Sequence, residues 1–411
     1  MADRTRTEAY KAVKRICEGA YSNLVFSSVP LDNIDLAIAK RLALGVIERK
    51  YTLDYVLSRY MKKKPNEQIM LLLMTGAYQI LYMSKVPNSA AVNETVKIAG
   101  ELFSDNLKSF VNAVLRNVSR EKNLISENIR SAEKYIQYSV NPDLYNMIKG
   151  FYKDECDSIF EAFFETQKCF LRVNTLKSNA EDIIKETSGE KISDTAILCK
   201  DREKAVSNLS QGKYFIQGLA SQNAVKLLDA KENQTVIDVC ACPGGKSLGA
   251  AIDMNNKGTV LSFDLHRNKL SLIEKSASSL GIDIIKTIES DSRITKRELT
   301  DKADRVICDV PCSGIGEIGS KPEIRYKNPD DFSGLYPTQR AILSASSEYL
   351  KKGGRLVYST CSINKNENIE AVKYFLNSEK GKEFYLASEK TYLPTDETNE
   401  GFYTAEIIRK E

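Results

Sequence analysis

Two cysteines stand where β-like runs end. Asp309-Val-Pro-Cys-Ser-Gly314 closes the apolar run Asp304–Asp309, and Ser359-Thr-Cys-Ser362 closes Arg355–Thr360. Ligands of open α/β sheets bind beyond the carboxyl ends of strands, so Cys312, Cys361 and Asp309 are expected on one edge. A lone cysteine there is usually a small buried hydrophobe. Two of them, with an acid and a proline-fixed turn, point to nucleophilic chemistry instead. A thiolate that adds to carbon 6 of a pyrimidine makes the ring enamine-like. Carbon 5, otherwise inert, can then attack an electrophilic methyl group. The reaction also needs an acid near ring N3 and a base for the carbon-5 proton. Residue chemistry alone leaves open which thiol is the nucleophile. The one histidine, His266, rules out Ser-His-Asp catalysis unless it is the base, so proton transfer falls to Asp, Glu, Lys, Tyr or Cys. A metal site at Cys240, Cys242, Cys312 and Cys361 is disfavoured, because no C-x-x-C pair exists. No metal is expected.

A methyl donor needs a pocket. Thr235–Cys240 runs into Ala241-Cys242-Pro243-Gly244-Gly245-Lys246-Ser247, a strand, a tight turn and a helix start. Glycine is needed where a ligand approaches the backbone closely. A Walker A loop would need glycine at the position of Cys240, and a full GxGxxG is also absent. The next β-like run, Thr259–Asp264, ends in an acid suited to a ribose diol. Asp291 follows a third run, Ile282–Ile288, and is placed for an adenine amine. The set describes an adenosine-bearing ligand without pyrophosphate, which S-adenosylmethionine fits.

The elements that must position these residues change along the chain. Ile34, Ile38, Leu42 and Val46 form an apolar stripe, Ile69–Met83 is apolar nearly all round, and Phe110, Val111, Val114, Leu115 and Val118 line another helix. Lys62-Lys63-Lys64-Pro65 breaks the chain, and Val86-Pro87-Asn88-Ser89 offers a cap to the helix that follows. Residues 1–125 are therefore expected to be an all-α domain. The polar stretch Arg120–Glu133 reads as a linker or exposed helix. Residues 126–220 read as a linker and small mixed α/β subdomain, with Cys169–Val173 as a strand. Residues 221–411 read as βα units with a parallel sheet covered on both faces, a Rossmann-like α/β domain. Residues 1–130 hold 20 Lys and Arg against 13 Asp and Glu, while the rest hold 39 against 42. A basic first third suits nucleic-acid binding. No run reaches the roughly 18 apolar residues of a membrane span. The N-terminus leads into no apolar segment and the cysteine number, nine, is odd, so a cytoplasmic protein with reduced thiols is expected.

These motifs resemble those of a known family. Val236–Lys246 resembles the D-x-C-A-A-P-G-G-K motif of RNA cytosine-C5 methyltransferases, Asp309–Gly314 their D-A-P-C-S-G, and Thr360-Cys-Ser362 their T-C-S. Leu171–Lys177 and Gly218–Gln222 also match. The N-terminal third resembles NusB-like RNA-binding domains through Val86-Pro87, Val92–Val96 and Phe110–Arg116. The resemblance covers nearly the whole chain. It implies an S-adenosylmethionine-dependent enzyme that methylates a cytosine of 16S, small-subunit ribosomal RNA. It implies further that Cys240, Ala241, Cys242, Pro243, Gly244, Gly245 and Lys246 form the cofactor loop, with Asp264 on the ribose, Asp291 on the adenine side and Asp309 between cofactor and base. Cys361 becomes the nucleophile, as in the RNA enzymes, and Cys312 assists proton removal and release. DNA cytosine methyltransferases would point to the Pro-Cys thiol, Cys312. Cys242 departs from the usual second alanine, and Glu400-Gly-Phe-Tyr403 departs from a terminal D-G-F-F. The alternatives are a tRNA cytosine-C5 methyltransferase and a non-catalytic RNA-binding assembly factor.

Overall fold

The computed structural model describes residues 2–26, 29 and 31–411. Their contacts form two compact units. One holds the chain up to Glu161 together with Ser320–Pro329; the other holds Ala162–Gly319 and Asp330–Glu411.

The first unit is helical. Helix Glu67–Tyr82 is its centre: Asn66 accepts from the Ile69 N–H at 2.9 Å, and every residue from Ile69 to Ile80 is buried. Helices Arg4–Cys17, Asn33–Glu48, Asn88–Leu102 and Asp105–Arg120 pack around it. In Asn33–Glu48 the buried face runs through Ala39, Leu42, Ala43 and Val46. Ile38 is 43% exposed, and the Ile34 side chain lies outside the described residues. An i, i+4 repeat drifts by about 40° per step on a helix of 3.6 residues per turn, so the stripe read from sequence leaves the core at its start. The cap expected at Asn88-Ser89 is absent: Pro87 occupies the N-cap position, and Asn88 donates to Ser119 instead. The polar stretch after Arg120 is helix Lys122–Ser131, held by buried Ile125. Helices Pro142–Tyr152 and Cys156–Ala162 follow, so helical packing runs past residue 125.

A short insertion completes this unit. Arg325 and Tyr326 lie in the 3-10 segment Pro322–Tyr326. Arg325 is fully buried and donates to the Tyr138 carbonyl at 3.0 Å. The Tyr326 hydroxyl donates to the Ile47 carbonyl at 2.5 Å and accepts from the Lys50 N–H at 3.0 Å and from the Ser139 hydroxyl at 2.8 Å.

The second unit holds two sheets. The smaller is antiparallel and contains β1 (Cys169–Val173), β2 (Glu190–Lys191), β3 (Ala196–Cys199) and β4 (Tyr214–Ile216), in the order β2-β3-β1-β4. The motif around Leu171–Lys177 fastens it to the larger sheet's helices. Arg172 is buried and pairs with Asp253 at 2.5 Å, and the Asn174 side-chain amide donates to the carbonyls of Gly212 and Leu280.

The larger sheet contains β5 (Thr235–Asp238), β6 (Thr259–Asp264), β7 (Ile285–Glu289), β8 (Ala303–Asp309), β9 (Leu350–Thr360), β10 (Phe384–Tyr392) and β11 (Phe402–Arg409). Its order is β10-β11-β9-β8-β5-β6-β7. Five strands, β5 to β9, are parallel to their neighbours among themselves, as expected. The last two pair antiparallel with their neighbours, so the parallel sheet expected from sequence is extended into a mixed one. Alternate side chains enter two cores: Ile237, Val306 and Leu356 on one face, Val236, Ile307 and Val357 on the other. No helix among the described residues is long and apolar enough to cross a membrane.

Tyr326→Phe leaves the Lys50 N–H and the Ile47 carbonyl without this hydroxyl. Urea melts of the full chain should show the helical unit destabilised by about 1–3 kcal/mol. A change below about 0.5 kcal/mol would mean that the hydroxyl holds nothing.

Candidate active site

The carboxyl end of β5 is Asp238, fully buried. Its Oδ2 accepts from the Ser247 hydroxyl at 2.7 Å, and Ser247 in turn meets Ser262 at 2.8 Å. Burial pushes the Asp238 carboxyl up to about 7, against the opposing pull of the Ser247 bond. Between Asp238 and helix Gly245–Asp253 lies the turn Cys240–Gly244. Gly244 adopts φ +110°, a left-handed conformation that a side chain resists, and an added Cβ would press on Ile273 at 3.2 Å. The loop ends on the open N-terminus of that helix, whose N-cap residue has no side chain to cover it. Asp264, at the end of β6, is half-buried and accepts from the His266 N–H at 2.9 Å. His266 itself is exposed at the start of helix Arg267–Leu280. Burial, reinforced by Asp264, pushes the Cys242 thiol up to about 12. Asp291, after β7, is held by Arg293, whose guanidinium meets both carboxylate oxygens. An adenine amine there would have to share the carboxylate with it.

The two cysteine loops meet because β8 and β9 are parallel neighbours in a fixed register. Asp309 lies opposite Ser359, and the Ser359 hydroxyl donates to Asp309 Oδ1 at 2.6 Å. Beyond the strand ends, Cys312 Sγ and Cys361 Sγ are 3.1 Å apart. Asp309 Oδ2 takes the ammonium of Lys246 at 2.6 Å, which reaches across from the glycine loop. Burial works against the Lys246 charge, but Asp309 outweighs it and holds the ammonium above the usual lysine range. The Phe402 ring lies 5.1 Å beneath that nitrogen. The Cys361 thiol is held well above the ordinary range, first by its hydrogen bond with Cys312 and then by burial. The structure thus brings Lys246, Asp309, Cys312 and Cys361 together, with Asp238 and Gly244 on the adjoining strand end.

Five contributors were not read from sequence as site residues. Ser359 and Phe402 touch Asp309 and Lys246. Glu400 Oε1 accepts from the Ala220 N–H at 2.8 Å, so the Gly218–Gln222 segment and the Glu400–Tyr403 segment are two sides of one contact. Burial raises the Glu400 carboxyl above its ordinary value. Glu367 is buried between the two cysteine loops. Asp238 stood inside a quoted motif, but its burial was not legible there.

The family model for 16S rRNA methyltransferase RsmB/F matches residues 225–408, and the NusB family model matches residues 3–120. The probable ribosomal RNA small subunit methyltransferase B of Bacillus subtilis is 34% identical over 396 residues, covering 90% of this chain and 87% of that protein. This chain belongs to the ribosomal RNA small subunit methyltransferase B family. The ribosomal RNA small subunit methyltransferase B of Proteus mirabilis is 29% identical over 98% of both chains. Among solved structures, PH0851 shares the fold over 100% of this chain and 99% of its own, at TM-score 0.80 and 22% identity. NSun6 from Pyrococcus horikoshii, solved with SFG, covers 66% of this chain and 98% of its own at TM-score 0.58 and 19% identity. In this family member the matched methyltransferase segment includes the glycine loop and both cysteines.

Asp238 makes stability depend on pH. Its folded carboxyl titrates near 7, above the unfolded value of 3.8. The folded chain therefore binds the extra proton between those values. The contribution is fully present below about pH 4 and is lost as pH rises through about 7. Asp238→Asn should flatten that fall, which is on the order of a few kcal/mol. Denaturant melts between pH 4 and 8 measure it, and equal slopes in both proteins would contradict the assignment.

Proposed function

We propose that this protein methylates carbon 5 of a cytosine in small-subunit ribosomal RNA, with S-adenosylmethionine as cofactor and a transient Cys361–carbon 6 bond. The observation that carries the reading is the pair of thiols 3.1 Å apart beside Asp309. S-adenosylmethionine supplies, when bound, a sulfonium methyl group at the strand-end edge. The residues fit it: a left-handed glycine turn leaves backbone accessible, a half-buried carboxylate ends the next strand at Asp264, and Asp238 Oδ1 is buried without a hydrogen-bond partner.

The remaining steps belong to the chain. Lys246 and Ser359 hold one Asp309 oxygen each, which fixes the carboxylate for ring N3. Cys361 gives its proton to solvent and adds to carbon 6 as the thiolate; the ring electrons move to N3, which takes a proton that Asp309 relays from the Lys246 ammonium and returns it when the ring is restored. After carbon 5 has gained its methyl group, Cys312 takes the carbon-5 proton. The electrons of that C–H bond restore the ring double bond and expel the Cys361 thiolate. The basic charge of residues 1–130 and the NusB-family match at 3–120 support RNA as the substrate. The name of the Bacillus subtilis relative supports the small subunit.

Cys361→Ala should abolish tritiated methyl transfer to unmodified small-subunit rRNA. Cys312→Ala should leave a protein–RNA adduct that survives a denaturing gel. Bisulfite mapping of the RNA should show the new 5-methylcytosine. Activity in the first variant, with no adduct in either, overturns the thiol roles. Wild-type transfer to tRNA only, or to no RNA, overturns the substrate or the enzyme reading respectively.

A further inference from the structure

The loop between β9 and helix Ile369–Leu376 buries a carboxylate that touches neither thiol. Glu367 has no exposed surface. Its Oε1 accepts from the Ser313 N–H at 2.7 Å and from the Gln339 side-chain amide at 3.1 Å. Its Oε2 accepts from the Ser313 hydroxyl at 2.5 Å and the Ser362 hydroxyl at 2.6 Å. Burying a carboxylate is costly unless its lone pairs are taken, and four donors take them here. The donors are not scattered. Ser313 directly follows Cys312, and Ser362 directly follows Cys361. The two hydroxyls are themselves 3.0 Å apart. Gln339 also donates to the carbonyl of Pro311, on the other side of Cys312, at 3.0 Å. Asn368, the next residue, accepts from the Thr360 hydroxyl at 2.6 Å and donates to the Ser362 carbonyl at 2.8 Å, so Cys361 is gripped on both sides. The Glu367 carbonyl accepts from the Tyr358 hydroxyl at 2.6 Å, which fixes the backbone that carries the carboxylate.

We propose that Glu367 is a positioning residue: its single buried carboxylate locks the Cys312 loop to the Cys361 loop, through Ser313 and Ser362, and so sets the separation of the two thiols. The β8–β9 register brings the strand ends together, but Cys312 lies three residues past Asp309 and needs a further tie. The clamp itself stands on geometry; its importance for turnover rests on the function proposed above.

The test reads the thiol separation directly, in the full-length protein. Diamide takes two electrons and two protons from a thiol pair; its N=N bond becomes a hydrazine and the sulfurs join. Sulfurs 3.1 Å apart need to close by about 1 Å to reach disulfide length. Peptide mapping without reductant quantifies the Cys312–Cys361 bond. Glu367→Gln keeps the size but sets an amide against the serine hydroxyls. It should slow this disulfide at least tenfold, with alkylation of fully buried Cys308 as the control for a loosened core. If Cys308 becomes reactive, the Ser313→Ala/Ser362→Ala pair, which keeps the carboxylate and removes both hydroxyl ties, takes its place with the same tenfold expectation. In single turnover, the variant that keeps Cys308 protected should lose at least tenfold in methyl transfer, with S-adenosylmethionine affinity within twofold of wild type. Disulfide formation as fast as wild type in that variant overturns the proposal, as does wild-type protein that forms no disulfide. Wild type that forms the disulfide but methylates no RNA leaves the clamp standing and overturns the functional reading instead.

Discussion

Parallel pairing of β8 with β9, with Asp309 opposite Ser359, is the constraint on which the site depends. Parallel strands end at the same edge, so whatever follows each strand is delivered to its neighbour's loop. Slipping the register by one residue would turn Asp309 to the opposite face of the sheet. Ser359 could no longer hold it, and Lys246 would have no partner on the far side of β5. The antiparallel pairing of β11 with β9 secures the same edge from the other direction, since Tyr403 lies opposite Thr360 and Phe402 reaches the Lys246 ammonium.

That edge concentrates ionisable groups where water is scarce, and each is answered by a specific partner. Asp309 is shared between a lysine and a serine, and Glu367 takes four donors. Asp238 is the exception. One of its oxygens has a donor and the other has none, and burial pushes its carboxyl up to about 7. A half-satisfied polar group at a strand end is costly, and such groups cluster at functional or strained sites. This sets Asp238 apart from Glu367, whose bonds are complete within the chain.

What was legible in the sequence divides along a physical line. Local signals carried well: the five parallel strands, the helix Glu67–Tyr82, the glycine turn and both cysteine loops are visible as apolar runs, breakers and short motifs. The antiparallel strand β10 was not, because most of its side chains are exposed and it lacks a long apolar run. Long-range partners were not legible either. Lys246 and Asp309 are 63 residues apart, and Ala220 and Glu400 are 180 apart. The segment Ser320–Pro329 follows the Cys312 motif closely in sequence yet packs with the helical unit. Nothing in its composition signals that Arg325 will be buried against Tyr138. Glu367 reads as an ordinary surface charge in a polar loop until its four donors are seen.

The elevated Cys361 thiol fits a nucleophile that is armed by its substrate. The largest cause of the elevation is the bond to Cys312. Sulfurs 3.1 Å apart leave no room for an aromatic ring between them. On the proposed function, a pyrimidine that offers carbon 6 to Cys361 and carbon 5 to Cys312 competes with that bond for both sulfurs. Its arrival would remove one of the influences that hold the Cys361 thiol up, while burial remains. Before it arrives, the thiol is protonated and poorly nucleophilic toward other electrophiles, including a bound sulfonium. On that reading, the contact that joins the two sulfurs is the one that the substrate displaces.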